Sequence, residues 1–185
     1  MEILAGGASL PPFEDFNDGV PDFFEVQSRT WFIDGANRYK SQTAAGMDSI
    51  SLLDMVGSLP ANLQVDALIR GENGGSGFLK NAVLIFDYRS ASDFKFAGGF
   101  FGANQWRIGY LDGTNWVVDV SFAETIGIGT DYDAELLIQG VVATLSVGEI
   151  SKVTFDFGTA LNSGGIGMGT RNAVAAFDDF GVTGS

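Results

Sequence analysis

The sequence contains neither cysteine nor histidine. These residues supply the usual protein ligands for zinc, copper and haem, so common sites for those metals are excluded. Cysteine nucleophiles, Ser-His-Asp triads and histidine acid–base chemistry are excluded as well. Oxygen atoms remain as metal ligands, which makes calcium the expected cation, ahead of magnesium.

Basic residues are also scarce. The chain has 10 Lys+Arg against 23 Asp+Glu, a formal net charge of -13. A field of that sign repels nucleic acid and anionic lipid, so neither is an expected partner. No apolar run approaches the length of a membrane helix, and membrane insertion is not expected.

The two ends of the chain give the expected domain organisation. Residues 1–12 lack the basic and apolar regions of a signal peptide, and they read as a leader or linker. Residues 13–185 are predicted to form a single β-sandwich domain. Because Gly184 and Ser185 follow directly on an apparent strand, we expect a module of a longer protein, with other domains as neighbours.

Alternation of apolar and polar residues dominates from Phe13 onward and predicts an all-β protein. Residues 62–70 place apolar side chains on one face, whereas Val83–Tyr88 is apolar on both faces, as in a central strand. Asp112-Gly113 marks a hairpin turn between two alternating runs. Residues 48–56 fit a helix and a strand equally well. The pattern predicts a two-sheet antiparallel sandwich or a barrel.

Two acidic clusters lie at opposite ends of this pattern. The first follows Phe13 and ends at Gly19, and the second contains Asp178 and Asp179 between aromatic residues. Because side chains alternate along a strand, Asp178 and Asp179 point to opposite faces, so one of them needs a partner. A metal ion is one possible partner. Solvated surface charges are the alternative for all these acids.

The order of several short motifs resembles a known family. Their order is similar to that in concanavalin A-like lectin/glucanase modules. The motifs are Phe13–Gly19, Trp31–Gly35, Gly109–Trp116 and Gly165–Gly169, followed by Ala176–Phe180. The resemblance is greatest to the laminin-G-like and carbohydrate-binding-module-like domains of bacterial surface and secreted proteins. It covers nearly the whole chain and implies a jelly-roll β-sandwich.

The same resemblance implies that the first and last strands lie side by side with a structural calcium ion between them. The ligands that the resemblance implies are Asp15, Asn17, Asp18, Asp178 and Asp179. Glu14 is a weaker candidate than these residues.

Aromatic residues in the middle of the chain are candidates for binding carbohydrate, since sugar rings present apolar faces that stack on flat side chains. In concanavalin A-like folds, the concave sheet or its rim loops bind saccharide, as the resemblance implies. The alternative is that the tryptophans belong to the core. The candidate residues are Tyr88, Arg89, Asn104, Trp106, Tyr110 and Trp116.

Catalytic motifs are not evident. Glycoside hydrolases of this fold carry a Glu-x-Asp-x-x-Glu run, and residues 131–135 have the wrong order and spacing. We therefore predict a non-catalytic, calcium-stabilised carbohydrate-binding module of a secreted or cell-surface bacterial protein, such as an adhesin. A structural or protein-interaction module of the same fold is the alternative, and a divergent glycoside hydrolase or lyase is a third reading.

Overall fold

A computed structural model describes residues 13–42, 44–55 and 58–184. Regular structure in these ranges is β-strand apart from one turn of 3-10 helix at Phe101–Ala103. No helix in this part of the chain is long and apolar enough to span a bilayer. The strands are β1 (Phe24–Ser28), β2 (Thr30–Ile33), β3 (Tyr39–Gln42), β4 (Ser49–Leu53), β5 (Asn62–Gly71), β6 (Ala82–Ser90), β7 (Asp93–Phe100), β8 (Gln105–Asp112), β9 (Asn115–Ala123), β10 (Tyr132–Gln139), β11 (Val142–Val147), β12 (Ile150–Asp156), β13 (Gly165–Thr170) and β14 (Ala175–Gly184).

The strands form two sheets of seven strands each. The first sheet has the order β1-β4-β13-β6-β7-β8-β9 and the second has the order β12-β11-β10-β5-β14-β3-β2. Every strand pair is antiparallel. The chain crosses between the sheets repeatedly, so β14 pairs with the much earlier β5. This arrangement confirms the predicted two-sheet antiparallel jelly-roll sandwich.

The core between the sheets follows the alternation of the sequence. In β5, alternate residues from Leu63 to Ile69 are buried, as predicted for this run. Leu84 and Phe86 of β6 meet them from the opposite sheet. Within the stretch that fitted helix and strand equally well, Ser49–Leu53 forms β4, which is buried at every position. The predicted leader, residues 1–12, lies outside the described residues.

The first sheet also buries side chains on its outer face, the face turned away from the core. Val83 and Ile85 alternate with core residues of β6 and belong to this second group, so β6 is buried on both faces as predicted. We call the group the outer cluster. It contains Ile50, Leu52, Val83, Ile85, Phe94, Phe96, Phe100, Leu111 and Trp116, with Tyr88 at its margin.

Curvature of the first sheet closes over the outer cluster. Trp116 Nε1 in β9 donates a hydrogen bond to Oδ2 of Asp48, directly before β4, at 2.8 Å. Four strands separate β4 from β9. In a flat sheet the two strands would be about 24 Å apart. The sheet must therefore curl toward its outer face for these side chains to meet.

Glycine makes room for this packing at Gly109. A Cβ atom added there would lie 2.0 Å from the carbonyl oxygen of Val117 and 2.8 Å from Cζ of Phe96. Phe96 has no exposed surface. The glycine thus lets the Phe96 ring lie directly against the neighbouring strand, as expected where a backbone and a side chain approach closely.

Candidate functional site

Two of the predicted carbohydrate-binding residues are buried. Trp106 is 0% exposed in the core between the sheets, and Trp116 is 8% exposed in the outer cluster. Neither ring can therefore offer a flat face to a sugar. For these two residues the alternative, a place in the core, is correct, because strand alternation directs each ring to a side of the sheet that is covered.

Asn104 and Tyr110 also lie apart from the other candidates. Asn104 is exposed in a left-handed conformation, and its Oδ1 accepts a hydrogen bond from the backbone of Ile126 at 3.1 Å. This contact holds a loop in place. Tyr110 lies opposite Lys95 in the β7–β8 pair and, by alternation, on the core side of β8. Tyr88 packs at the margin of the outer cluster, so the two tyrosines are on opposite faces.

Tyr88 and Arg89 lie together at the end of β6, beside a pocket of about 620 Å³ that we call the Tyr88 pocket. The ring of Tyr88 stacks on Phe94 with 5.8 Å between centroids, and burial raises the pKa of Tyr88. One side of the pocket is apolar and the other is polar. Its lining residues are Leu53, Met55, Ser58, Leu59, Tyr88, Arg89, Asn162, Ser163, Gly164 and Gly165.

A buried carboxylate organises the polar side of the Tyr88 pocket. Asp87 has no exposed surface and accepts a hydrogen bond from Ser163 Oγ at 3.0 Å and one from Arg89 at 3.3 Å. It also forms an ion pair with Lys95. Arg89 in turn donates to Ser163 Oγ at 3.0 Å. These contacts orient a guanidinium and a hydroxyl at the pocket.

The backbone around Asp87 is unusual. Asp87 has a φ of 46°, in the left-handed region that non-glycine residues adopt rarely. The pairings of β6 with β13 and with β7 both shift register near this point. Gly164 fits against it because a Cβ there would lie 2.4 Å from the carbonyl carbon of Asp87. The irregularity turns Asp87 inward and leaves Tyr88 and Arg89 at the surface.

Sequence reasoning missed Asn162 and Ser163. Nδ2 of Asn162 donates to the carbonyl oxygen of Leu59 at 3.1 Å, which fixes that side chain beside the pocket. The Asn-Ser-Gly-Gly run is typical of an ordinary turn. Nothing in the sequence signals that a turn 74 residues after Arg89 meets it in space.

The acidic ends of the domain also meet. The backbone of Glu14 exchanges hydrogen bonds of 2.9 and 2.8 Å with that of Phe180 in β14. The first described segment therefore lies beside the last strand, as the resemblance implied. This pairing places Asp15 close enough to Asp178 for their charges to interact. Asp179 adopts a φ of 50° at the irregularity in β14.

In the first acidic cluster, Asp15 and Asp18 accept hydrogen bonds within local turns, and Asn17 contacts a more distant loop. Oδ1 of Asp15 accepts from the backbone of Asn17 at 3.1 Å, and Oδ1 of Asp18 accepts from the backbone of Val20 at 2.9 Å. Oδ1 of Asn17 accepts from Asn37 Nδ2 at 3.1 Å. A hydrogen bond from the Asn17 side chain lowers the pKa of Asp15. These oxygens are exposed and on one side of the domain.

Donor chemistry at this end suits a hard cation, although the carboxylates are few. Burial raises the pKa of Asp178, and repulsion by Asp179 and Asp15 raises it further. Arg38, which lowers that pKa, already pairs with Asp131. Within the described ranges, no group of three or more carboxylates is arranged to hold a metal ion. A calcium ion here would therefore depend on Asp15, Asp178 and neutral oxygens.

Several other carboxyl groups have a raised pKa, mainly because of burial. Asp66 and Glu135 lie opposite each other in the β5–β10 pair, and the charge of Asp66 adds to the effect of burial in raising the pKa of Glu135. Oδ2 of Asp119 is buried and has no hydrogen-bond partner among the described residues. The carboxyl groups concerned are Glu14, Asp66, Asp119, Glu135 and Asp178.

Comparison with solved structures identifies the fold. The chain is similar to a carbohydrate-binding module, CBM66, from Bacillus subtilis, with a TM-score of 0.73 and 15% identity over 88% of this chain and 95% of that one. The chain therefore has a concanavalin A-like, galectin-like jelly-roll fold. A protein of unknown function with a galectin-like fold from Bacillus subtilis has a TM-score of 0.65 and 10% identity, with 96% and 98% of the two chains covered.

Enzymes share this jelly roll too. Alginate lyase A1-II' has a TM-score of 0.57 and 13% identity over 95% of this chain and 100% of that one. No protein-family model matches the sequence, and no curated protein matches it either. At identities this low, structural similarity establishes the fold alone. The function has to be inferred from the geometry of the site.

Proposed function

We propose that this jelly roll is a non-catalytic carbohydrate-binding module and that the Tyr88 pocket binds the sugar. The observation that carries the proposal is the pocket itself. It combines a partly buried tyrosine ring with the guanidinium of Arg89 and the hydroxyl of Ser163, both fixed through Asp87. Such a surface can stack on the apolar face of a sugar ring and hydrogen-bond to its hydroxyl groups. CBM66, a carbohydrate-binding module, has the same fold.

A non-catalytic role is supported by the positions of Asp87 and Asp119. Glycoside hydrolases need two carboxyl groups about 5–10 Å apart at the scissile bond. Asp87 and Asp119 are isolated acids within strands of the first sheet, but β7 and β8 separate them. That spacing is about 14 Å along the sheet. Asp87 is moreover buried and paired with Lys95, so it cannot reach a substrate.

Calcium belongs to the same proposal. Asp15 and Asp178, with Asn17 nearby, would hold the ion. Its positive charge would offset the repulsion between the two carboxylates. A site joining the first segment to β14 would bind the folded state alone and would therefore stabilise it. Secretion or display on a cell surface, as in an adhesin, fits a cysteine-free domain stabilised in this way, and other domains of a longer chain would flank it.

A glycan array with and without EDTA tests the carbohydrate proposal. We expect binding that Tyr88→Ala and Arg89→Gln abolish, while Tyr110→Ala, a half-buried tyrosine on the other face, leaves it unchanged. A domain that binds no glycan, neutral or acidic, would instead be a structural or protein-interaction module. Release of products from polysaccharide would contradict the non-catalytic assignment.

Thermal unfolding tests the calcium proposal separately. At a free calcium concentration of 100 times the Kd, binding adds about 2.7 kcal/mol to the free energy of unfolding. In a domain of this size that raises Tm by about 5–10 °C. Asp178→Asn should abolish the increase, and Asp54→Asn, an equal change of charge at an exposed site, should retain it. A Tm that EDTA does not change would show that calcium is not bound.

A further inference from the structure

The few basic residues of this acidic protein are unevenly partnered. Within the described ranges, six of them form ion pairs with carboxylates: Arg38, Lys40, Arg70, Arg89, Lys95 and Lys152. Four others, Arg29, Lys80, Arg107 and Arg171, have no described carboxylate within 4.0 Å. Three of these four, Lys80, Arg107 and Arg171, lie together. In a chain with 23 acidic residues, three such cations at one place need an explanation.

These three residues line one pocket of about 430 Å³, which we call the basic pocket. It lies at the end of the first sheet where β6 begins, at the opposite end of β6 from the Tyr88 pocket. Phe78 and Leu79 add apolar surface to its wall. Leu79 is 44% exposed, so part of that surface faces solvent.

Buried polar contacts build the basic pocket. Asn81 is 0% exposed, and its side chain joins both backbone groups of Arg171, accepting at 2.7 Å and donating at 2.8 Å. The carbonyl oxygen of Lys80 accepts from the backbone of Gly102 at 3.2 Å. The backbone positions of two of the cations are therefore fixed by the fold.

Contacts within β8 and with the end of β7 hold Arg107 in place. Its Nε donates to the side chain of Gln105 at 2.8 Å, and its guanidinium lies 4.5 Å from the centroid of the Phe100 ring. Burial lowers the pKa of Arg107, and the charge of Arg171 lowers it further. The two guanidinium groups are thus close enough to repel each other, and an anion between them would relieve that repulsion.

We propose that the basic pocket binds the anionic group, a carboxylate or a sulfate, of an acidic glycan. Guanidinium groups recognise planar and tetrahedral oxyanions through paired hydrogen bonds, and two of them are available here. Phe78 and Leu79 would contact the sugar ring that carries the anion. Nucleic acid is disfavoured, since the net charge of -13 repels a long, densely charged chain far more than it repels a short acidic oligosaccharide. This assignment rests on the proposed function, because its ligand is a glycan.

Isothermal titration calorimetry at low and high salt tests the proposal. The probes are tetragalacturonate, a sulfated galactan tetrasaccharide, a neutral tetrasaccharide and inorganic sulfate. We expect at least one acidic tetrasaccharide to bind tenfold or more tightly than the neutral one and inorganic sulfate, with affinity that falls as salt rises. The carboxylated and sulfated probes distinguish the two anions.

Matched variants locate the site. Arg107→Gln and Arg171→Gln should each weaken binding of the acidic probe about tenfold or more. Arg29→Gln removes an equal charge at an exposed position elsewhere and should not change it. Equal affinity for acidic and neutral probes, or equal losses in all three variants, would overturn the proposal.

The same titrations separate this proposal from the proposed function. Binding of the neutral probe that Tyr88→Ala abolishes, without preference for the acidic probes, would overturn the basic pocket alone. Acidic binding that Arg107→Gln weakens and Tyr88→Ala does not would support the basic pocket and count against the Tyr88 pocket. No binding of any tetrasaccharide would overturn both.

Discussion

The hydrogen bond from Trp116 to Asp48 joins two strands that lie far apart in the first sheet, and replacing Trp116 tests whether it closes the outer cluster. Trp116→Phe removes the indole donor and keeps an aromatic ring in place. Asp48 then loses one of its partners while its other oxygen still accepts from the backbone of Asn172 at 2.9 Å. Because Asp48 is a charged acceptor, the loss should be large for a single hydrogen bond.

The magnitude follows from comparison with Trp31. Trp31 and Trp116 are both 8% exposed, but Nε1 of Trp31 donates to a neutral carbonyl, that of Ser28, at 3.3 Å. A hydrogen bond to a charged group contributes about 1.5–3 kcal/mol, and a neutral one about 0.5–1.5 kcal/mol. The loss of ring area is the same in the two variants. Trp116→Phe should therefore cost about 1–2 kcal/mol more than Trp31→Phe.

Urea unfolding followed by circular dichroism measures both costs. The expected difference corresponds to about 2–8 °C in Tm for a domain of this size. In a background of Asp48→Asn, replacing Trp116 should cost much less, because the charged acceptor is already absent. Equal costs for the two tryptophans, or no coupling between Trp116 and Asp48, would refute the closure of the sheet through this bond.

Three further predictions concern glycine, a buried ion pair and pH. Gly109→Ala should destabilise the domain by about 1–3 kcal/mol or more through overpacking. Gly35→Ala, with open space around it, should change the free energy of unfolding by no more than about 0.5 kcal/mol. Equal unfolding midpoints for the two variants would contradict the packing described. Lys95→Met removes a positive charge beside the buried Asp87 and should lower the free energy of unfolding by about 3–5 kcal/mol, as measured with urea. Lys152→Met, beside an exposed carboxylate, should lower it by less than about 1 kcal/mol. In EDTA, stability should fall as pH rises from about 4 toward neutrality, because carboxyl groups with a raised pKa hold protons more tightly in the folded state. A Tm that rises steadily from pH 4 to pH 7.5 would contradict that sign. The groups responsible are Glu14, Asp66, Asp119, Glu135 and Asp178.

Local pattern was sufficient to predict most of the sheet structure. The alternating run of residues 62–70 became β5, and the doubly apolar run of residues 83–88 became the central strand β6. The predicted hairpin at Asp112-Gly113 joins β8 to β9, although Asp112 ends β8 and the two-residue loop is Gly113-Thr114. Gly113 has a φ of 62°, as that turn requires. These features depend on neighbours in the chain, so the sequence contains them directly.

The side chains available for binding could not be predicted in the same way. Alternation shows that Trp106 and Ile85 point to particular sides of their strands, but it does not show which sides are covered. The outer face is covered because the sheet curls and brings Trp116 to Asp48. That curvature arises from packing across many strands, and it covered Trp116 while Tyr88 and Arg89 stayed at the margin.

Composition and alternation by themselves determined that this protein is a cysteine-free, acidic, all-β protein in which oxygen atoms are the expected ligands for metals. The tertiary structure decided which distant residues meet: Arg89 with Ser163, Asp15 with Asp178, and Lys80 with Arg107 and Arg171. The physical reason is that strand pairing in a jelly roll is long-range. Strands remote in sequence become neighbours, and pockets form where their loops come together.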